Sequence, residues 1–497
     1  MAAPAHDVAA RLDRLPWSPF HRRMVFALGI AWILDGLEVT LVGSLAPILR
    51  RPQTLGLSAQ AVGLVASSYL LGAVLGSLLF GYLADRSGRK RLFTVTLLLY
   101  ITATAASGLA WDIGSLAVFR FFTGAGIGGE YCAINSAIQE LVPAARRGRI
   151  DIVINGSFWL GAAGAAGLSL ALLNPAWLPL FLGWRLAFGA GAVLGLIALV
   201  LRSRIPESPR WLVGRGREHE ALDIVRALER AVYRSLKKEP PAKPVRATPN
   251  TPARFRIKLT SAIRIIWARY RKRALLGTIL MASQAFFYNA FFFTYGLVLV
   301  RFYHVSAPAV GLYVLPFALS NFLGAAFLAR FFDTVGRRPM MIGTYALSGL
   351  LMIASATLFR DHALTVVSQT AAWAVMFSFA SAGASGAYLT VSESFPVEIR
   401  ASAIALFYAL GTASGGVLAP TVFAVLIATG SRGRVFNGYL LGAGLMGLGA
   451  LAEWCFGIAA EGLPLEALSA PLSQPPQGSA PQSPRSSFPG SGRDRAP

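Results

Sequence analysis

Long apolar runs follow one another along almost the whole chain, separated by mostly short polar connections. Each run is close to the roughly 20 residues that an α-helix needs to cross the hydrocarbon core of a bilayer. The pattern therefore predicts an all-α membrane protein with twelve transmembrane helices, near residues 24–48, 60–84, 91–110, 113–138, 149–173, 181–202, 273–300, 308–332, 339–359, 363–392, 401–428 and 435–459.

One long polar connection, residues 203–272, separates two sets of six runs. Within it, the stretch EHEALDIVRALERAVYRSL has helical periodicity, whereas residues 239–252 have the composition of a linker. We expect little order in the N-terminal tail, and a disordered C-terminal tail because Pro, Ser and Gly predominate there. The predicted units are a tail at 1–23, a bundle at 24–202, the connection at 203–272, a bundle at 273–459 and a tail at 460–497.

Two motifs occur once in each half. The stretch GSLLFGYLADRSGRK at 76–90 aligns with GAAFLARFFDTVGRR at 324–338, at an offset of 248 residues. The stretch ELVPAARRGR aligns with ESFPVEIR at an offset of 253. Two matching pairs at nearly equal offsets predict an internal duplication, and hence two pseudo-symmetric six-helix bundles. The matched residues are Asp85, Gly88, Arg89, Glu140, Pro143 and Arg147 with Asp333, Gly336, Arg337, Glu393, Pro396 and Arg400.

Composition agrees with a membrane protein, since 55% of the 497 residues are hydrophobic and 14% are charged, against about 25% charged in soluble proteins. Both cysteines fall inside apolar runs, so no disulfide framework is expected. The first apolar run begins near Met24 and is too long for the core of a cleavable signal peptide, so none is expected.

The net charge of +23 raises the question of nucleic-acid binding. However, 38 of the 46 Lys and Arg residues lie in the tails and the even-numbered connections, and only six lie in the odd-numbered ones. This asymmetry is typical of membrane topology and places both termini in the cytoplasm, most simply across the plasma membrane. The basic excess is then explained by topology and by attraction to anionic lipid, without a nucleic-acid partner.

Three ionisable residues lie inside predicted spans. Asp35 and Glu38 in the first span are three residues apart and share a helix face. Arg120 in the fourth span needs an anionic partner, for which these two acids are the candidates. Because charged groups are costly in a bilayer, such residues predict function, here proton coupling; the alternative is a structural pairing.

Polar and aromatic residues in several spans are candidates for binding a solute. Gln284, Tyr288 and Tyr295 fall on one face of the seventh span, where amide and phenol groups can hydrogen-bond a solute. Gly124, Gly126 and Gly129 match GxGxxG, but a helical span offers no nucleotide-binding context, and Glu130 fits a structural bond equally well. The predicted substrate-binding residues are Glu130, Tyr131, Asn135, Asn155, Trp159, Gln284, Tyr288, Asn289, Tyr295, Asn321, Trp373 and Tyr388.

Over residues 24–459 the chain resembles the major facilitator superfamily. GYLADRSGRK resembles the superfamily's signature loop, and RIPESPRWL at 204–212 resembles the motif after helix six in sugar porters and their organic-ion and synaptic-vesicle-protein-like relatives. DGLE is similar to the DG-x-D motif of aromatic-acid:proton symporters, with Glu38 replacing the second Asp. Helix seven departs from sugar porters, because SQAFFYN stands where a double Gln is expected, which argues against a hexose.

The resemblance implies that Glu38 and Arg120 form the proton-coupling pair. It also implies that Asp85 and Arg89, with Asp333 and Arg337, latch the cytoplasmic ends of the two bundles together in the outward-open state. The full set of predicted gating and signature residues is Gly81, Asp85, Gly88, Arg89, Glu140, Arg147, Glu207, Arg210, Asp333, Gly336, Arg337, Glu393 and Arg400.

These observations predict a proton-coupled secondary transporter that moves a small polar organic solute by alternating access and works as a monomer in the lipid bilayer. Arg120 suits an organic or aromatic acid, whereas Gln284 and Asn289 suit a sugar or polyol. A proton-independent uniporter or exchanger and a non-transporting sensor remain alternatives. An enzyme is not expected, and neither are a metal or cofactor, because all five histidines fall in tails or loops and no nucleophile–base pair is evident.

Overall fold

The structure is a computed structural model that describes residues 7–173, 177–203, 205–238, 257–292, 294–306, 309–469 and 472. The predicted linker at 239–252 lies outside the described residues, as do residues 473–497 of the C-terminal tail.

Helices make up the described chain, in which no strand occurs. The first half contains α1 (Asp7–Asp13), α2 (Pro19–Leu49), α3 (Ala59–Ser87), α4 (Arg89–Gly108), α5 (Ile113–Leu141), α6 (Arg147–Gly156), α7 (Phe158–Leu172) and α8 (Leu180–Arg202). The connection contains α9 (Pro209–Gly214), α10 (Glu218–Leu236) and α11 (Leu259–Arg269). The second half contains α12 (Arg271–Phe291), α13 (Tyr295–Tyr303), α14 (Val310–Thr334), α15 (Arg337–Arg360), α16 (Val366–Ser394), α17 (Arg400–Gly411), α18 (Leu418–Ala428), α19 (Arg432–Phe456) and α20 (Leu465–Leu468).

These helices form twelve membrane spans, as the sequence predicts. Among the described residues, 11 spans are long and apolar enough to cross a bilayer. The twelfth is α5, whose 29 residues include buried Arg120 and Glu130 and extend about 43 Å, more than the roughly 30 Å of hydrocarbon. Pairs of helices share the fifth span (α6 and α7), the seventh (α12 and α13) and the eleventh (α17 and α18, joined by a π-helical turn at Thr412–Val417).

Glycines allow α3 and α5 to pack backbone against backbone in the first bundle. A Cβ at Gly72 would lie 1.9 Å from the carbonyl oxygen of Phe121, and a Cβ at Gly124 would lie 2.0 Å from that of Tyr69. Any larger side chain would therefore separate the two helices. Gly124, the first glycine of the GxGxxG match, thus serves helix packing.

The expectation of little order in the tails is wrong at both ends of the described chain. Val8 and Leu12 of α1 are buried in a cluster with Leu222 and Val225 of α10. At the other end, Leu465 is buried, and Arg147 donates a hydrogen bond of 3.4 Å to the carbonyl oxygen of Leu463. Apolar residues within these short polar segments are buried, so the described parts of both tails pack against the rest of the protein.

The N-terminal helix, the described parts of the connection and residues 460–469 lie at the same end of the two bundles, which we call the termini face. Arg147 of α6 shows this arrangement, because it contacts Leu463 and also forms an ion pair of 2.9 Å with Asp13. Asp13 is paired in turn with Arg210 of α9 at 2.7 Å. These contacts fix the chain's tails to the ends of the spans.

Candidate functional site

A central cavity of about 170 Å³ lies between the two bundles. Its lining includes helices α2, α3, α5, α6 and α7 of the first bundle and α12, α16 and α17 of the second. Nine of the lining residues are aromatic, namely Trp32, Tyr69, Tyr131, Phe158, Trp159, Tyr288, Phe292, Tyr388 and Tyr408.

Asp35 is the only acidic or basic side chain among the described residues that line this cavity. It is buried, and it accepts a hydrogen bond of 2.6 Å from the phenol of Tyr69 and another from the phenol of Tyr131. Two phenol donors satisfy one carboxylate in a water-poor site. The described cavity wall therefore has one carboxylate, and two tyrosines hold it in place.

Glu38 lies one turn further along α2 and forms a buried ion pair with Arg120 of α5. The guanidinium of Arg120 also stacks 4.6 Å from the centre of the Tyr69 ring, and the Tyr100 phenol lies 3.4 Å from Glu38. Neither Glu38 nor Arg120 lines the cavity. Tyr69 connects the two centres, because its hydroxyl bonds Asp35 while its ring covers Arg120.

The aromatic side chains of the cavity contact one another across the two bundles. Trp32 stacks on Tyr131 with ring centres 4.5 Å apart and meets Tyr388 edge-on at 5.3 Å. On another side, Trp159 of α7 lies 5.2 Å from Tyr288 and 4.7 Å from Phe292. Such walls present ring faces and edges to a bound solute, with amides such as Gln284 between them.

Seven of the twelve predicted substrate-binding residues line the cavity: Tyr131, Asn155, Trp159, Gln284, Tyr288, Asn289 and Tyr388. The remaining five do not line this cavity, and each is engaged by another protein group. Glu130 pairs with Arg202 at 3.1 Å, Asn135 accepts from Asn155 at 3.2 Å, Tyr295 bonds Thr370 at 2.5 Å, Asn321 accepts from Tyr288 at 3.1 Å and Trp373 donates to Ser355 at 3.0 Å.

Several lining residues were not among the sequence predictions. Trp32 could have been found, because it lies three residues before Asp35 and so shares its helix face. Tyr69 has no such signal, since its role depends on how α3 packs beside α2 and α5. The lining residues missed are Trp32, Val39, Tyr69, Leu70, Phe158, Ala285, Phe292, Ser381, Ala384, Ser385, Tyr408 and Thr412.

At the termini face, an aspartate of each bundle bonds the first turn of a helix in the other bundle. Asp85 of α3 accepts from the backbone N–H groups of Ala401 at 3.2 Å and Ser402 at 2.8 Å. Asp333 of α14 accepts from those of Gly148 at 3.1 Å and Arg149 at 2.9 Å. Unpaired N–H groups and the helix dipole make a helix N-terminus a good site for a carboxylate.

Each of these aspartates is also paired with the arginine four residues later. Arg89 lies 3.2 Å from Asp85 and 2.8 Å from Glu140, and Arg337 lies 2.6 Å from Asp333 and 3.3 Å from Glu393. Arg400 lies 3.6 Å from Glu140, which links the two bundles. The duplicated motifs thus form two equivalent networks that join the bundles at the termini face.

A third acid completes each network. The backbone N–H of Arg89 donates to Glu207 at 2.9 Å, and that of Arg337 donates to Glu461 at 3.2 Å. The preceding glycines, Gly88 and Gly336, have φ of 98° and 120°, which other residues rarely adopt. Glu461 lies in the tail expected to be disordered, so its place in a duplicated motif was missed.

The two bundles also approach closely where α3 crosses α17. A Cβ added at Gly81 would lie 2.4 Å from the Cβ of Ala405. Arg210, also predicted to be a gating residue, instead ties α9 to Asp13 of the N-terminal helix. The two networks and the α3–α17 contact therefore join the bundles at the termini face.

The chain matches the model of the family described as "Sugar (and other) transporter" over residues 39–470. It is 30% identical over 422 residues to the niacin transporter NiaP of Acinetobacter baylyi, covering 84% of this chain and 89% of that protein. It is 34% identical over 222 residues to the 4-hydroxybenzoate transporter PcaK of Pseudomonas aeruginosa, covering 44% and 48% of the two chains.

Among solved structures, the chain resembles the major facilitator superfamily proton:xylose symporter XylE bound to 6-bromo-6-deoxy-D-glucose. The TM-score is 0.73 at 20% sequence identity, over 90% of this chain and 98% of the other. The duplicated bundles, the paired termini-face networks and the family match agree with one another. The chain is therefore a multi-pass membrane transporter, not an enzyme, and belongs to the sugar (and other) transporter family, with the fold of the major facilitator superfamily symporter XylE.

Proposed function

We propose that this transporter is a proton-coupled symporter that carries a small, single-ring aromatic acid through the central cavity by alternating access. One observation carries the proposal. The only acidic or basic group on the described cavity wall is Asp35, and Tyr69 connects it to the buried Glu38–Arg120 pair. Asp35, Glu38 and Arg120 are assigned to the coupling, with Arg120 stabilising the anionic form of Glu38.

The shape and chemistry of the cavity support an aromatic solute rather than a sugar or polyol. Its volume is about 170 Å³, close to the roughly 150 Å³ of an engineered apolar cavity that binds benzene. Nine aromatic side chains surround it, whereas a sugar needs many polar partners. Niacin and 4-hydroxybenzoate, named for two relatives, are both acids built on one aromatic ring.

The charge of the cavity supports coupling to protons. An aromatic acid carries a carboxylate at neutral pH, yet the described lining offers it Asp35 and no Lys, Arg or His. Two carboxylates close together in a poorly hydrated site cannot both stay ionised, so one of them must take up a proton. The acid would therefore cross together with a proton, which Asp35 or Glu38 would take up and release.

Alternating access would follow from the contacts at the termini face. Asp85 and Asp333 each bond a helix of the opposite bundle at that face, and opening it would require both networks to separate. Binding of solute and proton would change the relative stability of the two forms through different affinities for each. We further propose that the termini face is cytoplasmic, in the plasma membrane, and that one chain suffices for transport; its basic excess supports the orientation.

The test is uptake by purified protein in proteoliposomes. Labelled niacin or 4-hydroxybenzoate should accumulate inside against its gradient when the outside is acidic, and a protonophore should abolish the accumulation. Uptake that is equal with and without the pH gradient would contradict the coupling. The same vesicles, loaded with unlabelled acid, report whether the solute is carried at all.

A proton-independent exchanger is the second candidate. The observation that favours it is the burial of Glu38 and Arg120, which are paired with each other and lie behind the cavity wall. A permanently closed ion pair would be structural and would not release a proton during the cycle. In that case labelled solute would exchange for internal solute at a rate that a protonophore leaves unchanged.

A further inference from the structure

A second cavity, of about 420 Å³, lies on the flank of the molecule where the two bundles meet. Residues of α2, α6 and α7 form most of its wall, and Phe322 of α14 contributes from the other bundle. It shares no lining residue with the central cavity. The solute pathway therefore does not account for it.

The wall of this flank cavity is charged at one end and apolar along the rest. In α2, Arg22 near the start of the helix is followed on the same wall by Val25, Phe26, Gly29 and Ile33. From Arg22 to Ile33 the helix rises about 16 Å, close to half of the roughly 30 Å hydrocarbon thickness. Helix α6 also contributes an arginine followed by apolar residues, with Arg149 near its start and then Ile150, Val153 and Ile154.

Three arginines line the charged end: Arg22, Arg146 and Arg149. All three are exposed, and none forms an ion pair within the described part of the chain. Their neighbour Arg147 shows the contrast, since it is fully buried and paired with Asp13. Three guanidinium groups without a protein carboxylate form a site for an anion, and a planar guanidinium suits the oxygens of a phosphate.

Trp17 lies at the same end, with the guanidinium of Arg146 5.5 Å from its ring centre. Tryptophan is favoured at the boundary between headgroups and hydrocarbon, because one edge is polar and the rest apolar. Phe26, on the wall just beyond, is 60% exposed in the described protein. The order from base to aromatic to aliphatic matches the order from headgroup to acyl chain in one leaflet.

We propose that the flank cavity binds one anionic phospholipid, with its phosphate on Arg22, Arg146 and Arg149 and an acyl chain along the apolar wall. The site is complete only while the bundles are joined at the termini face. Phe322 comes from the second bundle, and Asp333 of the same helix accepts from the backbone N–H of Arg149 at 2.9 Å. The lipid therefore stabilises the conformation that is closed at the termini face.

The experiment compares lipid binding by the full-length protein, purified in detergent, using native mass spectrometry and thermal unfolding. The probes are phosphatidylglycerol and phosphatidylcholine with the same acyl chains. The proposal expects wild-type protein to bind phosphatidylglycerol more tightly and to unfold at a higher temperature with it. The triple variant Arg22→Gln, Arg146→Gln, Arg149→Gln should bind phosphatidylglycerol at least tenfold more weakly, because it loses two to three charge-assisted contacts.

The matched control replaces three exposed arginines of α10, Arg226, Arg230 and Arg234, with Gln. This control removes the same charge from the same face. It should still bind phosphatidylglycerol more tightly than phosphatidylcholine and unfold at a higher temperature with it. If this control loses as much affinity as the site variant, or if the site variant loses none, the proposal is overturned. The first outcome would mean attraction to the basic face as a whole, and the second would place the lipid elsewhere.

A second variant tests the apolar part without changing the charge. Val153→Trp fills the wall between the two ends and should weaken phosphatidylglycerol binding while the three arginines remain. Glycerol phosphate, the headgroup without chains, should compete only weakly. If it competes as well as the lipid, the site binds soluble phosphate and the assignment to a phospholipid is wrong.

Discussion

Asp35 and Glu38 lie one helical turn apart, yet only Asp35 faces the central cavity. Glu38 is paired with Arg120, whose guanidinium lies against the ring of Tyr69, while Asp35 accepts hydrogen bonds from Tyr69 and Tyr131. The two acids therefore have separable roles. Asp35 can interact directly with the charge of a bound solute, whereas protonation of Glu38 would leave the positive charge of Arg120 unpaired inside the first bundle.

Glu38→Gln should abolish uphill uptake while leaving exchange of labelled solute measurable. Glutamine keeps the size of the side chain and can still accept a hydrogen bond from Arg120, but it cannot bind and release a proton. Accumulation should fall to the level seen without a pH gradient, measured in proteoliposomes. Glu229→Gln on α10, which also removes an acid paired with an arginine, is the control. Full proton-driven accumulation by Glu38→Gln would remove Glu38 from the mechanism.

Asp35→Asn should make binding of an aromatic acid independent of pH. In the wild-type protein a carboxylate solute needs a proton in the cavity, so its affinity should fall as pH rises, by up to about tenfold per pH unit for one linked proton. Asparagine carries no charge, so the solute's carboxylate meets no repulsion. Binding measured by calorimetry at an acidic and an alkaline pH checks this. A wild-type affinity that does not change with pH would contradict the linkage.

The twelve spans were predictable because each is a long apolar run bounded by polar residues. The end of α3 and the start of α4, for example, coincide with the Asp85–Arg89 motif. The duplication predicted the equivalence of Asp85 and Asp333, and the family resemblance implied that their motifs join the bundles at one end. The periodicity of α10 was also sufficient to place it, since Leu222, Val225 and Val232 are buried as a stripe.

The partners of the polar residues were less predictable, because they depend on how helices distant in sequence pack. Glu130 was a candidate for the solute and equally for a structural bond, and the end of α8 brings Arg202 beside it as the partner of such a bond. Tyr69 was missed although it contacts both ionisable centres. Glu461 was missed because the composition of the C-terminal tail predicted disorder there. Yet Glu461, which begins EGLP, lies 254 residues after Glu207, which begins ESPR, and accepts a hydrogen bond in the equivalent place.

Trp32→Ala should weaken solute binding. Trp32 stacks on Tyr131 and contacts Tyr388 across the bundles, so its removal opens the aromatic wall. The loss of one aromatic contact, about 0.5–1.5 kcal/mol, corresponds to an affinity roughly two- to tenfold lower. Trp111→Ala, at a side chain that is 71% exposed outside the cavity, should leave the affinity unchanged. An equal loss in both variants would indicate a general effect on folding.

Asp85→Asn and Asp333→Asn should each shift the protein toward a form open at the termini face. Each aspartate accepts from two backbone N–H groups at the start of a helix in the other bundle. Hydrogen bonds to a charged group contribute about 1.5–3 kcal/mol each, so losing the charge should change the equilibrium at least several-fold. The distance between spin labels attached at the exposed positions Arg226 and Thr334 should be longer in these variants than in the wild-type protein. Asp223→Asn, at an exposed position on α10, should leave the distance distribution as in the wild type.

Glu398→Gln should raise the unfolding temperature at neutral and alkaline pH but not at low pH. Burial raises the pKa of Glu398, which lies in the connection between α16 and α17. Above that raised pKa the folded protein holds a poorly hydrated carboxylate, whereas the unfolded chain hydrates it, so the charge destabilises the fold. Below the unfolded pKa of about 4.3 both states are protonated, and the difference between variant and wild type should vanish.

Glu220→Gln is the matched control for this comparison. Glu220 is exposed, and a hydrogen bond from Arg217 lowers its pKa, so its charge is favourable in the fold above its unfolded pKa. The control should therefore show no rise in unfolding temperature at any pH, and at most a small decrease at neutral pH. A rise that is the same for both variants, or one for Glu398→Gln that persists at low pH, would show that burial of the Glu398 charge is not the cause.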